Sequence, residues 1–243
     1  MIGVLTSNFS FYYELITSLK KREMPFISLT FHQPIPPNVK VIITTIEERK
    51  KINFENVLAY KGGDIGILID KAILMRAGEN ASKKIIIGID PGLTPGLAVF
   101  GNGILLRKFL ANGAEDVVNF VALYAKEWGR ENLIVRIGHG ARLVRNRIIN
   151  LLREMDICIE IVDETSTTSA DDTLSAFSIA RMSGKLVEKE MVVEPKEGEI
   201  KDIQRKSRIV SGDITISKSL AEKVLKGEIG MEEAIEKQRK KLH

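Results

Sequence analysis

Short hydrophobic runs alternate with amphipathic stretches over the first 75 residues. An apolar stripe at Tyr12, Leu15, Ile16 and Leu19 predicts one helix over residues 11–21. The same reading predicts a second helix over residues 64–75 and strands over residues 2–6, 25–31, 39–45 and 57–60. This alternation of strands and helices favours a small parallel sheet flanked by helices.

The pattern changes after residue 83. Three strands come first, at residues 84–90, 96–100 and 104–110, before any long helix. The link Gly101-Asn102-Gly103 tolerates positive φ, which a tight hairpin turn requires. Helices at residues 115–128, 141–155 and 169–183 then alternate with strands at residues 133–137 and 157–162. We expect a mixed five-stranded sheet with flanking helices, antiparallel in its first three strands and parallel in its last two.

Composition shifts divide the chain into three predicted parts. Residues 77–82 are polar and turn-rich, so residues 1–80 are expected to form a small α/β domain for recognition or dimerisation. Residues 83–189 form the second domain, and residues 190–243 a charged, helical C-terminal extension.

The overall composition narrows the class of protein. With 243 residues, 44% of them hydrophobic and 28% charged, the chain can bury a sizeable core. It has no run of about 18 apolar residues and no signal peptide, so we expect a cytoplasmic protein without a membrane partner. A single cysteine, Cys158, excludes an internal disulfide and is expected to be buried in its strand. The net charge of +4 is compatible with nucleic acid without requiring it.

Asp90 is the most informative acidic residue. It ends an apolar strand and is followed at once by the turn Pro91-Gly92. Strand alternation places Gly88 and Asp90 on one face, which a ligand could approach closely. A carboxylate beside buried strands requires a partner, hydrogen bonds or a metal. The alternative is that Asp90 accepts backbone hydrogen bonds within its own turn.

Two further acidic pairs follow in the chain. Asp163 and Glu164 stand at a later strand end and alternate, so at most one of them points towards Asp90. Asp171 and Asp172 open the last helix of the second domain, where acids also suit the helix dipole without any further role. Small side chains on that helix would let its first turn approach the strand ends: Ser175, Ala176 and Ala180. Two or three such carboxylates suffice for Mg²⁺ or Mn²⁺.

These segments resemble the RNase H-like nuclease superfamily, in its RuvC and YqgF branch. The resemblance rests on Gly88-Ile89-Asp90-Pro91-Gly92, on Asp172-Thr173-Leu174-Ser175-Ala176, on the strand order, and on Asp163-Glu164-Thr165-Ser166-Thr167-Thr168. It covers about residues 83–185 and implies an RNase H-like fold for the mixed sheet. It also implies that Asp90, Glu164 and Asp172 bind the metal and are catalytic, with Asp171 as an alternative to Asp172. RuvC-like resolvases act as dimers, so the resemblance further implies a homodimer.

Basic residues follow the strand at residues 133–137. Gly138-His139-Gly140 leads into a helix that carries Arg142, Arg145 and Arg147, which could hold phosphates near the acids. His139 could contact the scissile phosphate or donate a proton. Lys206 and Arg208 could extend this basic surface. Alternatively, the arginines form a solvated helix face, His139 is an ordinary turn residue, and the later cations pair with neighbouring acids.

The leading hypothesis is a metal-dependent nuclease that cleaves branched DNA or structured RNA by two-metal hydrolysis. RuvC-type enzymes carry an acid in the strand equivalent to residues 133–137, and this chain has none there. A second hypothesis is therefore a catalytically inactive RNase H-fold protein that binds nucleic acid. A third is an actin-like nucleotide-binding protein, since that class also opens with a strand, an Asp and a Gly-containing phosphate turn.

Overall fold

The structure, a computed structural model, describes residues 1–79, 84–163 and 172–241. Its packing divides the chain into two units. The first contains residues 1–83 with residues 100–107, and the second contains residues 84–99 with residues 108–243. Each unit has its own sheet and helices and is described by itself.

A parallel four-stranded sheet forms the first unit, as the sequence predicts. Its strands are β1 (Ile2–Val4), β2 (Phe26–Ser28), β3 (Val41–Thr45) and β4 (Val57–Tyr60), in the order β2-β1-β3-β4. Its helices are α1 (Phe9–Lys21) and α2 (Ile65–Arg76), with a short 3-10 helix at Arg49–Lys51. The side chains of Asn8 and Asp64 cap α1 and α2 by accepting hydrogen bonds from backbone N–H groups in the first turn.

One ion cluster is buried in the first unit. Asp70 on α2 has no solvent exposure. It pairs with Arg22 at 2.6 Å and with Arg107 at 3.3 Å. Arg107 belongs to the tip of a hairpin, residues 100–107, that packs with this unit. Because a buried carboxylate is costly without partners, the two guanidinium groups compensate the charge of Asp70.

The second sheet is mixed and has six strands in the order β10-β9-β8-β5-β6-β7. They are β5 (Ile85–Asp90), β6 (Gly96–Gly101), β7 (Ile104–Leu110), β8 (Leu133–Gly138), β9 (Cys158–Val162) and β10 (Lys185–Leu186). β5, β8 and β9 are parallel, and β10 is antiparallel to β9. The links between β5, β6 and β7 are too short for a crossover, so these strands run antiparallel. Asn102 and Gly103, with φ of 50° and 83°, form the β6–β7 turn.

Some helices of this unit pack beside the sheet, and others form the C-terminal segment of the chain. The helices beside the sheet are α3 (Ala114–Trp128), α4 (Arg142–Arg153) and α5 (Asp172–Arg181), with a short 3-10 helix at Arg130–Asn132. The charged C-terminal segment forms α6 (Glu197–Ser211), α7 (Lys218–Leu225) and α8 (Met231–Arg239). These three helices share a core that includes Ile200, Ile216 and Leu220. The segment that the sequence predicted as a charged, helical extension is therefore a packed helical bundle.

The structure corrects two expectations about the second sheet. The sheet has six strands and not five, because β10 consists of two exposed residues, too few to leave a hydrophobic pattern. Cys158 is exposed and not buried, because strand alternation turns it away from the face of its buried neighbours Ile157 and Ile159. Helix α5 is described from Asp172 onwards, so the predicted start at residues 169–171 lies outside the described residues.

No described helix combines the length and the hydropathy that a membrane-spanning segment requires.

Candidate functional site

The carboxyl ends of three neighbouring strands form one edge of the second sheet, which is called the carboxyl edge below. β5, β8 and β9 are parallel neighbours, so their carboxyl ends lie side by side. Asp90 is the last residue of β5, His139 follows β8, and Asp163 follows β9. The sequence-predicted residues Asp90 and His139 are thus brought to the same edge, together with Asp163.

Helix α5 lies very close to this sheet because two glycines face it. A Cβ atom added to Gly88 would lie 2.2 Å from the carbonyl oxygen of Ala176. A Cβ atom added to Gly96 would lie 2.1 Å from the carbonyl oxygen of Asp172. Ala176 and Ala180 are buried in this contact, with 0% and 2% exposure. Only glycine on the strands and small residues on the helix permit such an approach.

The same contact brings Asp172 to the end of the sheet at which Asp90 lies. Gly88 faces α5, so Asp90, two residues later on the strand, lies on that face too. Asp172 contacts Gly96, the first residue of β6, and β6 begins at the edge where β5 ends. Two of the predicted carboxylates therefore share one face and one edge. Asp90 is half-buried and Asp172 is exposed.

The remaining predicted acids can be located only in part. Glu164 and Asp171 lie outside the described residues. Asp163, the alternative to Glu164, is exposed at the end of β9. Within residues 1–79, 84–163 and 172–241, no three side chains of His, Cys, Asp or Glu are grouped closely enough to hold a metal ion.

Arg142 donates hydrogen bonds to an acidic side chain and to backbone carbonyl groups. It donates to both carboxylate oxygens of Glu199 on α6, at 2.6 and 2.7 Å. It also donates to the carbonyl oxygens of Val192 and Glu194. The hydrogen bonds from Arg142 lower the pKa of Glu199 to about 2, and the hydrogen bond to Glu199 raises the pKa of Arg142. This arginine joins α4 to α6, a structural role that the sequence did not indicate.

The other predicted cations have different surroundings. Arg147 is half-buried and pairs with Glu115 on α3, so its charge is partly compensated. Lys206 and Arg208 are exposed on α6. The three arginines of α4 therefore do not form one uniform phosphate-binding row.

Arg145 is the arginine of α4 that turns inwards. It is 5% exposed and donates to the carbonyl oxygen of His139 at 2.6 Å and to Oδ1 of Asn146 at 3.1 Å. Burial lowers the pKa of its guanidinium, and the nearby charge of Arg142 lowers it further. Both partners are neutral, and no carboxylate of a described residue lies within 4.0 Å of it.

A groove of about 710 Å³ lies beside Arg145, at the same edge of the sheet. Its lining includes His139 and Asp163 from the strand ends, and Lys185 and Lys189 from β10 and the segment after it. The sequence did not indicate either lysine as a site residue. Without β10, whose two residues carry no periodic signal, nothing in the sequence places them beside α4.

A second pocket, of about 470 Å³, lies in the first unit at the carboxyl ends of β3 and β4. Phe11 and Tyr60 stack beside it with ring centroids 4.6 Å apart. The neighbouring Glu48 is nearly buried, and burial raises its pKa. Hydrogen bonds from Thr6, Ser7 and Thr45 outweigh this effect, so the pKa lies below its ordinary value. Glu48 stays ionised and joins β1 to β3.

Comparisons with known proteins match the two ends of the chain. Residues 1–73 are similar to the response regulator receiver-like domain family. Residues 196–240 are similar to a three helical bundle domain family, which agrees with the packing of α6, α7 and α8. No curated protein and no solved structure matches the chain. The residues between these two ends, with Asp90, Arg145 and Asp172, lie outside both matches.

Proposed function

We propose that the second unit is an RNase H-like, metal-dependent nuclease that hydrolyses phosphodiester bonds in branched or structured nucleic acid. The observation that carries the proposal is the shared position of Asp90 and Asp172, on one face and at one edge of a mixed sheet. The order β9-β8-β5-β6-β7 supports it, because a sheet of three antiparallel strands followed by two parallel ones is what the resemblance implies.

The carboxylates suit a hard divalent cation. Mg²⁺ and Mn²⁺ take oxygen ligands and keep several waters, so two or three carboxylates are enough. Asp90, Glu164 and Asp172 would supply them, with Asp171 as an alternative to Asp172. When bound, such an ion supplies Lewis-acid chemistry that activates water and stabilises the leaving oxygen.

The neighbouring residues have roles that follow from their positions. His139 is exposed at the end of the adjacent strand, where it could hold or donate a proton to a phosphate oxygen. Lys206 and Arg208 would contact the nucleic-acid backbone away from the acids, as exposed cations on α6. Branched DNA or structured RNA is the proposed substrate, a homodimer the proposed assembly and the cytoplasm the proposed location.

Cleavage of end-labelled nucleic acids tests this function. A four-way DNA junction, matched duplex and single-stranded DNA, and a structured RNA are incubated with the protein in Mg²⁺ or Mn²⁺. We expect cleavage of at least one substrate by the wild type. Asp90→Asn and Asp172→Asn should each lower the rate at least a hundredfold, because each removes a charge from the metal site.

Asp156→Asn is the matched control. Asp156 is exposed in the turn before β9, at the opposite end of that strand, and its φ of 53° suits asparagine as well as aspartate. Its rate should stay within twofold of the wild type. Binding without cleavage of any substrate would favour the inactive nucleic-acid-binding protein. Stabilisation by ATP, again without cleavage, would favour the actin-like alternative.

A further inference from the structure

Two arginines of the second unit are buried, and they differ in their partners. Arg136 on β8 is 9% exposed and pairs with the carboxylate of Glu160 at 2.8 Å. It also donates to the carbonyl oxygen of Ala180. Arg145 is buried to a similar degree, yet its two acceptors are a carbonyl and a side-chain amide oxygen. A buried cation that no described carboxylate compensates is costly, so its surroundings need an explanation.

The donors of Arg145 are only partly used. A guanidinium carries five N–H bonds in a fixed plane. The structure gives acceptors within the described residues to two of its nitrogens, Nε and one terminal nitrogen. The side chain also lines the groove at the carboxyl edge. The hydrogen bonds to His139 and Asn146 therefore fix the plane of the guanidinium and leave donors for a group in the groove.

Three cations and two acids line the groove, in addition to His139. Lys185 and Lys189 are exposed on its rim, and the buried Arg145 is the third cation. The acids are Asp163 and Glu188, so the lining has one more cation than carboxylates. A fixed guanidinium with flexible ammonium groups around it is a typical arrangement for a phosphate group.

We propose that this groove is an anion site in which Arg145 binds a phosphate group, with Lys185 and Lys189 on its rim. The groove lies beside the edge that carries Asp90 and Asp172, so the phosphate would belong to the backbone of the nucleic acid next to the bond that is cut. The identity of the ligand as nucleic acid rests on the proposed function, whereas the anion site itself does not.

Binding measured without metal separates the two proposals. Fluorescence anisotropy of a labelled four-way DNA junction and a labelled single-stranded RNA is recorded in EDTA, and inorganic pyrophosphate is titrated separately by calorimetry. The double variant Lys185→Glu/Lys189→Glu should weaken binding of the preferred nucleic acid at least tenfold. Arg145→Gln should weaken it similarly, and Arg145→Lys less. Asp90→Asn should not weaken it, even if cleavage is lost.

A double variant of two lysines that do not line the groove provides the control for net charge. Lys108 on β7 and Lys126 on α3 are both exposed, and Lys108→Glu/Lys126→Glu changes the net charge by the same amount. Its binding should stay within twofold of the wild type. Melting curves show whether Arg145→Gln is folded, and the exposed lysines test the groove if it is not.

Two outcomes would overturn the proposal, and a third would support it with a different ligand. Equal losses in the groove and control variants would overturn the proposal, because binding would then follow net charge alone. The absence of binding to nucleic acid and to pyrophosphate would also overturn it. Binding of pyrophosphate that depends on Arg145, without binding of nucleic acid, would support the anion site and assign it to a free phosphate compound.

Discussion

Single small residues determine how α5 meets the second sheet. At Gly88 and Gly96 the backbone of the helix lies where a side chain would otherwise stand. Ala176 and Ala180 complete the contact from the helix. This close approach is what brings the first turn of α5, with Asp172, to the edge that holds Asp90.

Replacement of Gly88 by alanine tests this contact. The added Cβ would lie 2.2 Å from a backbone oxygen, which cannot move without shifting the helix. We expect the free energy of unfolding to fall by about 1–3 kcal/mol, measured by urea denaturation. Gly198→Ala is the control, because a Cβ there meets no described atom within 4 Å. An unchanged stability of Gly88→Ala would contradict the close packing of α5.

At the residue scale, strand alternation predicted that Gly88 and Asp90 share a face that a ligand could approach closely. In the structure the backbone of α5 lies against Gly88, so a helix and not a ligand occupies that position. The three arginines of α4 were indistinguishable from sequence. Arg142 differs from Arg145 because its acceptor, Glu199, is 57 residues away, and no periodicity reports such a contact.

At the scale of elements, the pair Arg142–Glu199 joins α4 to the helical bundle. Both side chains are about three-quarters buried, so solvent screens this pair less than an exposed one. Glu199 also accepts a hydrogen bond from the backbone of Lys196 and so helps to start α6. One carboxylate thus serves two elements.

Glu199→Gln should therefore lower stability in a pH-dependent way. The pKa of Glu199 falls from an ordinary value of 4.5 to about 2 on folding, so its charge stabilises the folded state above pH 4.5. That stabilisation disappears as the pH falls from 4.5 towards 2. We expect a loss of about 1–2 kcal/mol at pH 7 and little difference from the wild type near pH 2, from urea denaturation.

The exposed Glu228 serves as the control for this experiment. Glu228→Gln removes the same charge without an ion pair to a described residue, so its effect at pH 7 should be within about 0.5 kcal/mol. A Glu199→Gln penalty that is the same at pH 7 and pH 3 would show that the charge of Glu199 is not the cause.

In the second sheet, the longer strands could be predicted from the sequence and the shortest one could not. β5, β8 and β9 are five or six residues long and mostly apolar, and each was expected within a residue or two of its observed bounds. β10 could not be expected, since Lys185 and Leu186 are held in the sheet by pairing with β9 and not by a pattern of their own. Because β10 was not predicted, the groove was not predicted either. The two lysines that line it, Lys185 and Lys189, lie on β10 and just after it.

For the whole molecule, the two family matches and the candidate site fall on different parts of the chain. The receiver-like match covers residues 1–73 and the three helical bundle match covers residues 196–240. The carboxylates and the groove lie between them. Variants that test the function should therefore change residues of the middle region, in a protein that keeps both matched segments.

Metal-linked stability is the whole-molecule test of whether the carboxylates form a working site. A ligand that binds only the folded state stabilises it, by about 2.7 kcal/mol at a concentration one hundred times its Kd. Mn²⁺ should therefore raise the melting temperature of the wild type by several degrees, measured by calorimetry, and Ca²⁺ at equal ionic strength serves as a comparison. Asp90→Asn should lose most of this rise, whereas Asp156→Asn should keep it. An equal rise in wild type and Asp90→Asn would place the metal elsewhere. No rise in either would leave a decayed site, and binding without hydrolysis would then become the function to pursue.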